Sequence, residues 1–279
     1  MSVHPSSTVL TPLFVPVRHH LQVAVRTGGA GMGGVSLLLV DANSEGIKKT
    51  RLKMQGWWTS TTTLIAFDNV RVPRANLIGK ENSGFSSIMS NFNHERFVFA
   101  AMSNRYARVC MEEAIKYCRV RKTFGKPLIA HQVIRHKVAE MSRHVEATHA
   151  MLEQIAYQMK VNVNDKTLSG MIALTKVQAT KVRETSRLQT RQRVRSIRGP
   201  RLGWRLCAHL VVCLLVVSSP LQTMDLCARE STQMMGGAAC VRGGPGEKVE
   251  RLYREVRVNA IAGGSEEVLM DLAMRQAKL

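Results

Sequence analysis

One carboxylate interrupts an apolar stripe in the stretch from Gly84 to Tyr117, which has the pattern of a long amphipathic helix. The apolar residues that share a spacing of four and three with Glu95 are Ile88, Phe92, Phe99, Met102, Tyr106 and Val109. Burial by the protein or by a ligand raises the pKa of such a carboxyl group towards the range in which it exchanges protons near neutral pH. The pattern makes Glu95 a candidate base, with a structural ion pair to Arg96 or another cation as the alternative.

A glycine turn near the C-terminus is the second candidate site. Gly263 and Gly264 separate two segments of helical pattern, and Ser265, Glu266 and Glu267 open the second of them. Adjacent glycines let the backbone approach a ligand closely, and the amides at the start of a helix can face an anion. A plain connection between two helices is the alternative.

Three helical segments make up the central part of the chain. The first is the stretch that carries Glu95, and it ends at the loop Arg121–Lys126. The second begins at Pro127 and runs to about Lys160, and the third begins near Thr167 with the sequence MIALTKVQATKV. The expected buried stripe of the second consists of Val133, Ile134, Val138, Met141, Val145, Leu152, Ile155 and Met159. Helices joined by short loops predict an antiparallel bundle.

Short strands are expected before the helices, in LQVAV, VSLLLV and TTTLIAFDNVRV. The glycine cluster Gly28–Gly34 between the first two is read as a hairpin turn, because a dinucleotide motif would precede a helix. These strands are too few to close a barrel or sandwich. The predicted class is therefore α+β, with a partial middle β domain over 21–80 and a C-terminal antiparallel four-helix-type bundle over 84–279, while residues 1–20 stay unassigned.

Residues 183–223 interrupt the bundle pattern. They hold an arginine-rich run and then the apolar run LCAHLVVCLLVV, which is shorter than the roughly 20 residues that span a bilayer. Binding of nucleic acid or anionic lipid is one interpretation. An unspliced intron fits better, because joining Val182 to Met224 restores one continuous helix.

The net charge and the cysteine content limit the classes of protein to which this chain can belong. The chain carries 40 basic and 20 acidic residues, a formal net charge of +20, which predicts a polyanionic partner such as nucleic acid, an acidic membrane surface or a phosphorylated ligand. Its six cysteines form no CxxC pair, which favours free thiols in a reducing compartment over a disulfide framework.

Several motifs together resemble one enzyme family. The stretch GWWTSTTTLIAFDNVRVPRANLIGKENSGF resembles the end of the β domain of acyl-CoA dehydrogenases. The motifs NFNHER, RKTFGK followed by HQ, QMMGG, EKVERLYREVRV and AGGSEE resemble the C-terminal helical domain of that family, in the same order. The resemblance covers Leu21–Val182 and Met224–Leu279. It includes no counterpart of the N-terminal helical domain or of the first half of the β domain, which implies an N-terminally truncated fragment.

The resemblance implies an FAD-dependent enzyme of fatty-acid β-oxidation that introduces a trans-2,3 double bond into an acyl-CoA thioester. In most members the catalytic base stands where this chain has Gly263, which cannot abstract a proton. Long-chain and isovaleryl-type members place the base on the long helix instead, and Glu95 in Asn93-His94-Glu95-Arg96 matches that arrangement.

The remaining site residues are carried over from the same resemblance. Those that would bind the acyl-CoA are Asn93, His94, Arg96, Gly263 and Gly264, with Arg96 near its pantetheine or phosphate portion. Those that would bind FAD, partly from a neighbouring subunit, are Arg121, Thr123, Gln132, Gln233, Met234, Met235, Gly236, Gly237, Ser265, Glu266 and Glu267. Helix capping and surface solvation are the alternative roles of Arg121 and Gln132.

The resemblance also implies partners and a location. The partners are the acyl-CoA substrate, an electron acceptor for reduced flavin and further copies of the chain in a homodimer or homotetramer, without metal, nucleic acid or stable membrane insertion. The C-terminal Ala277-Lys278-Leu279 resembles a peroxisomal signal, with the mitochondrial matrix as the alternative. Two other functions stay open: a non-catalytic chain that oligomerises through its bundle, and a basic nucleic-acid or membrane binder.

Overall fold

The computed structural model describes residues 2–3, 9–11, 20–60, 62–161, 168–181 and 223–277. The chain separates into two compact units, Met1–Phe92 and Asn93–Leu279, of which the first is rich in strands and the second consists mainly of helices. The predicted α+β class is therefore confirmed. Of the expected interruption at 183–223, all but Thr223 lies outside the described residues.

The strands of the first unit form small antiparallel sheets. They are β1 (Ser2–Val3), β2 (Val9–Thr11), β3 (His20–Arg26), β4 (Val35–Asp41), β5 (Ile47–Arg51), β6 (Thr63–Phe67), β7 (Val70–Arg71) and β8 (Leu77–Ile78). The strand orders are β3-β4-β8, β2-β6-β5 and β1-β7. The expected hairpin is confirmed, because β3 pairs with β4 across the glycine turn, from His20 with Asp41 to Arg26 with Val35. Strand β5 was not predicted, because its residues IKKTR lack apolar alternation.

Side-chain alternation explains the core of this unit. Along β3 every second residue is buried, and Leu21, Val23 and Val25 therefore face the same side. They pack in one cluster with buried residues of β4 and of β6 in a second sheet, which include Leu38 and Ile65. The alternation thus places the apolar side chains of β3 on the buried face of the sheet.

Helices make up most of the second unit. The described residues form α1 (Gly84–Val120), α2 (Gln132–Val161), α3 (Leu168–Thr180), α4 (Thr223–Met235), α5 (Glu247–Ile261) and α6 (Glu266–Gln276). The sequence expectations agree with these bounds within a few residues except at the start of α2. That helix begins at Gln132 rather than Pro127, because a short hairpin of β9 (Lys122–Thr123) and β10 (Lys126–Pro127) comes first.

The deepest face of α1 differs from the expected stripe. Small side chains form it, namely Ala100, Ala107, Cys110, Ala114 and Cys118, whereas Phe99 alone in the bulky stripe is fully buried. Small residues let the neighbouring helices approach closely, and the bulky residues then fill the flanks. In α2 the centre of the predicted stripe is buried, but Val133 is 66% exposed at the helix start.

The cysteines of the described part are free thiols, and Cys110, Cys118 and Cys227 are buried. Burial raises the pKa of Cys110 to about 12 and also raises the pKa of Cys227, so both stay protonated and unreactive at neutral pH. Among the described residues, the helices lack the combination of length and hydropathy that crossing a membrane requires.

The end of α3 and the start of α4 are in register with each other. Within α3, the hydroxyls of Thr175 and Thr180 donate to the carbonyl oxygens four residues earlier, those of Met171 and Lys176. The Thr223 hydroxyl lies 3.4 Å from the carbonyl oxygen of Gln178 and is also bonded to Thr148 of α2. Thr223 thus lies where a helical residue directly after Lys181 would lie, so α4 continues α3.

Removing residues 182–222 and joining Lys181 directly to Thr223 is expected to preserve the fold. The terminal carbonyls of α3 and the first amides of α4 would become partners in one helix, which raises the free energy of unfolding by about 1–3 kcal/mol. Thermal and urea unfolding followed by helical circular dichroism measure this. A shortened chain that is less stable than the parent would contradict the in-register arrangement.

Candidate active site

Helix α1 carries the candidate base at the edge of its buried face. Glu95 is half-buried, His94 is exposed, and Arg96 is only 6% exposed. Successive residues of a helix point about 100° apart, so a helix edge gives each of these neighbours a different environment. Glu95 therefore lies between the solvent side and the interior, next to a buried cation.

Arg96 joins α1 to the turn between α5 and α6. Its Nε donates to the carbonyl oxygen of Gly263 at 2.9 Å, and its Nη1 donates to Oδ1 of Asn93 at 3.0 Å. Burial lowers the pKa of Arg96, and the nearby negative charge of Glu95 opposes that shift. The structure thus brings four predicted residues together: Asn93, Glu95, Arg96 and Gly263. The charge of Glu95 acts on Arg96, so the ion-pair interpretation of this carboxylate also stays open.

The turn itself requires glycine. Gly263 and Gly264 have φ angles of 72° and 117°, which side chains of L-residues rarely adopt. A Cβ atom on Gly263 would lie 3.1 Å from Cδ2 of Phe99 and 3.5 Å from Cγ of Arg96. The backbone at Gly263 therefore packs directly against α1, one helical turn from Glu95.

Lys176 is a site residue that sequence reasoning missed. This lysine of α3 is fully buried, and its Nζ donates to the carbonyl oxygens of Ala260 at 2.6 Å and Gly264 at 2.9 Å. Burial lowers its pKa to about 8, the charge of Arg96 acts in the same direction, and the charge of Glu266 opposes both. The signal in the sequence was one cation within the apolar segment MIALTKVQA.

The acidic residues after the turn lie at the start of α6. Glu266 is half-buried and lies 3.9 Å from Nζ of Lys181, whereas Glu267 is exposed. The pKa of Glu267 is lowered by its own backbone N–H, by the Ser265 hydroxyl and by the charge of Lys181. Acidic residues in a first turn also suit the positive end of the helix dipole.

Besides Ser265, Glu266 and Glu267, the residues predicted to bind a cofactor lie on two other segments of the helical unit. Arg121 precedes the β9–β10 hairpin and Gln132 begins α2, and both are exposed. Thr123 is half-buried, and its hydroxyl lies 3.0 Å from Nε2 of His131. Phe124, at the tip of the hairpin, is 94% exposed.

The second segment follows the end of α4. Gln233 is exposed, while the side chains of Met234 and Met235 belong to the main hydrophobic core, so only their backbone atoms could reach a bound molecule. Gly236 and Gly237 are exposed with open space beside them, since a Cβ atom on either would meet nothing within 4 Å. Exposed amides, a glutamine and an arginine suit a pyrophosphate.

Comparison with known proteins identifies the family. The profile of the acyl-CoA dehydrogenase C-terminal domain matches residues 82–192 and 221–278. This chain therefore belongs to the acyl-CoA dehydrogenase family. Residues 193–220 are not matched. They lie within 183–223, the segment that interrupts the helical pattern of the sequence.

Individual relatives agree with this assignment. The chain is 37% identical over 259 residues to the acyl-CoA dehydrogenase AFT10-1 of Alternaria alternata and 36% identical over 258 residues to the acyl-CoA dehydrogenase apdG of Emericella nidulans. Both alignments cover 91% of this chain and 50% of the relative, so the chain spans about half the length of these proteins. A crystal structure of a probable acyl-CoA dehydrogenase from Mycobacterium abscessus superposes with a TM-score of 0.71 at 30% identity, over 93% of this chain and 57% of that one.

Replacing Gly263 with alanine is expected to destabilise the helical unit by about 1–3 kcal/mol. The substitution adds the cost of a positive φ angle and a tight contact with Phe99. Urea unfolding of the variant measures the loss. Gly237→Ala is the matched control, because its Cβ atom would meet open space, and it should change stability by about 0.5 kcal/mol or less. Equal effects of the two substitutions would contradict the close packing at Gly263.

Proposed function

We propose that this chain supplies the helical, substrate-facing part of an FAD-dependent acyl-CoA dehydrogenase with Glu95 as its base. Family membership supports the reaction class. The observation that carries the assignment of the base is the contact between Arg96 and the Gly263 carbonyl, which joins the turn of α1 next to Glu95 to the glycine turn.

The chemistry requires a carboxylate beside the α carbon of the thioester. The α C–H bond breaks and its proton goes to the base. The β C–H bond breaks with loss of its hydrogen as hydride, for which FAD, when bound, would be the acceptor, and a carbon–carbon double bond forms. Gly263 has no group that accepts a proton, and Phe99 and Arg96 occupy the space into which a longer side chain would project. Glu95 is the carboxylate nearest in sequence to this contact and is half-buried, which reduces the competition from water.

In this proposal Arg96 has a structural role in the interior of the protein. Its guanidinium is buried and donates to Gly263 and Asn93, so we assign it to holding the turn rather than to binding the phosphate portion of CoA. The exposed His94 and the half-buried Asn93 lie on the adjoining surface of α1 and are the proposed contacts with the substrate.

The residues of the two cofactor segments fit FAD. Arg121, Gln132 and Gln233 are exposed donors, and Gly236 and Gly237 leave their backbone open to a phosphate group. FAD, when bound, supplies the hydride acceptor. The chain spans about half the length of its relatives, so the properties of the whole protein belong to the proposal. These are a complete flavin site, assembly into homodimers or homotetramers, transfer of electrons to an acceptor and a place in β-oxidation.

A non-catalytic chain that oligomerises through its helices is the second candidate. Apolar side chains are strongly exposed around the β9–β10 hairpin, with Val120 at 81%, Phe124 at 94% and Val133 at 66%. Such residues suit contact with another protein surface. Bound flavin distinguishes the two candidates, since the second requires none.

The proposed function is tested on the purified full chain with added FAD. Flavin absorbance that remains with the protein after gel filtration supports the enzyme, and its absence at saturating FAD favours the non-catalytic candidate. Palmitoyl-CoA in deuterated water then reports removal of the α proton, because exchange places deuterium on the α carbon that mass spectrometry detects.

Glu95→Gln is expected to slow this α-proton exchange about 100-fold or more, because an amide cannot accept the proton. Glu112→Gln is the matched control on the same helix, since Glu112 is partly exposed and pairs with Arg105 at 3.5 Å. Exchange that survives in Glu95→Gln at the control rate would remove the assignment of the base.

Peroxisomal import is proposed from the C-terminal Ala277-Lys278-Leu279, of which Lys278 and Leu279 lie outside the described residues. Deleting these three residues from a fluorescently tagged chain should move it out of peroxisomes. Unchanged import, or location in mitochondria before and after the deletion, would refute the signal.

A further inference from the structure

A fully buried lysine requires an explanation beyond packing. Transfer of an ammonium group out of water is costly unless hydrogen bonds compensate it. Among the described residues that are less than 2% exposed, Lys176 has the largest side chain, and its two hydrogen bonds go to backbone carbonyls of the α5–α6 region. The charge of Lys181, which directly follows the end of α3, instead lies near Glu266, at 3.9 Å.

The first of these carbonyls belongs to the last turn of α5. In a continuing helix the Gly264 amide would donate to Ala260, but it donates to Ile261 instead. The Ala260 carbonyl therefore lacks the bond from the Gly264 amide, and Lys176 donates to it instead. Lys176 also donates to the carbonyl of Gly264. A cation at the C-terminal end of a helix is in addition favoured by the helix dipole.

Two cations thus hold successive carbonyls of the glycine turn. Arg96 of α1 holds Gly263 and Lys176 of α3 holds Gly264, and the two glycines between them have positive φ angles. Glycine has more backbone freedom than any other residue, so these external bonds fix a conformation that the turn alone would not keep.

We propose that Lys176 is a positioning residue, which fixes the Gly263–Gly264 turn so that the Gly263 carbonyl stays on the Arg96 guanidinium. If the turn moves away, Arg96 loses an acceptor while it is still buried, which is costly for a charged group. The same turn is expected to border the acyl-CoA, so its position would affect how the substrate lies beside Glu95. The consequence for catalysis rests on the proposed function, whereas the positioning of the turn does not.

The test measures the turn and Arg96 directly in the full chain. Lys176→Met removes the donors and keeps most of the volume. Hydrogen exchange of residues 261–269 by mass spectrometry follows the turn, and the slowly exchanging Nε–H signal of Arg96, assigned by its loss in Arg96→Lys, follows the guanidinium. Both rates should rise about tenfold or more, as expected for loss of hydrogen bonds to a charged group.

Two matched variants separate positioning from general loss of stability. Val177→Ala opens a cavity at a buried position of α3, and at equal distance below its melting temperature it should leave the Arg96 Nε–H signal unchanged. Lys181→Met removes a lysine of the same helical region without touching the turn carbonyls. Equal acceleration in Val177→Ala, or none in Lys176→Met, would overturn the proposal.

Further readouts keep the result decisive if Lys176→Met does not fold. Lys176→Gln retains an amide donor on a shorter side chain and should show a smaller increase in exchange. In the wild-type chain, unprotected exchange of the Gly264 amide and of the Arg96 Nε–H would by itself refute the positioning role. None of these measurements uses flavin or acyl-CoA, so a negative result in the Glu95 experiment would leave them interpretable.

Discussion

A hydrogen bond between a buried guanidinium and a backbone carbonyl organises the candidate site. The Nε atom of Arg96 and the Gly263 carbonyl come from distant parts of the sequence, and their 2.9 Å contact joins the long first helix to the turn between the last two helices. A buried cation that lacks acceptors is strongly destabilising, so this bond restricts where the turn can lie. Glu95 directly precedes Arg96 on α1, so the position of the turn also affects the environment of this carboxylate.

The interior around this bond combines two cations with few compensating charges. Arg96 and Lys176 each lower their electrostatic cost mainly through carbonyl oxygens, and Glu266 is the acid that acts on Lys176. Carbonyl dipoles at the end of a helix stabilise positive charge without a carboxylate in direct contact. The two cations are therefore kept in the interior mainly by backbone groups of the turn, although burial still lowers the pKa of both side chains.

Sequence patterns predicted the helices and the glycine hairpin, because apolar periodicity and turn residues are local signals. The family was indicated by the resemblance of several motifs. The patterns placed the buried face of α1 on its bulky residues, whereas the structure buries Ala100, Ala107 and Ala114, since the closeness of neighbouring helices is not encoded locally. They identified Glu95 and Gly263 separately, and the resemblance related the two. Lys176 was missed because a lysine in an apolar segment has many possible partners, and only the three-dimensional arrangement shows that they are carbonyls of the turn.

The conformation at Gly263 has a consequence for which side chains the turn can carry. A glutamate at this position would have to adopt a left-handed backbone conformation, and its Cβ atom would lie 3.1 Å from the ring of Phe99. In this chain, backbone shape and packing at position 263 therefore oppose a carboxylate there, in addition to the absence of a side chain in the present sequence.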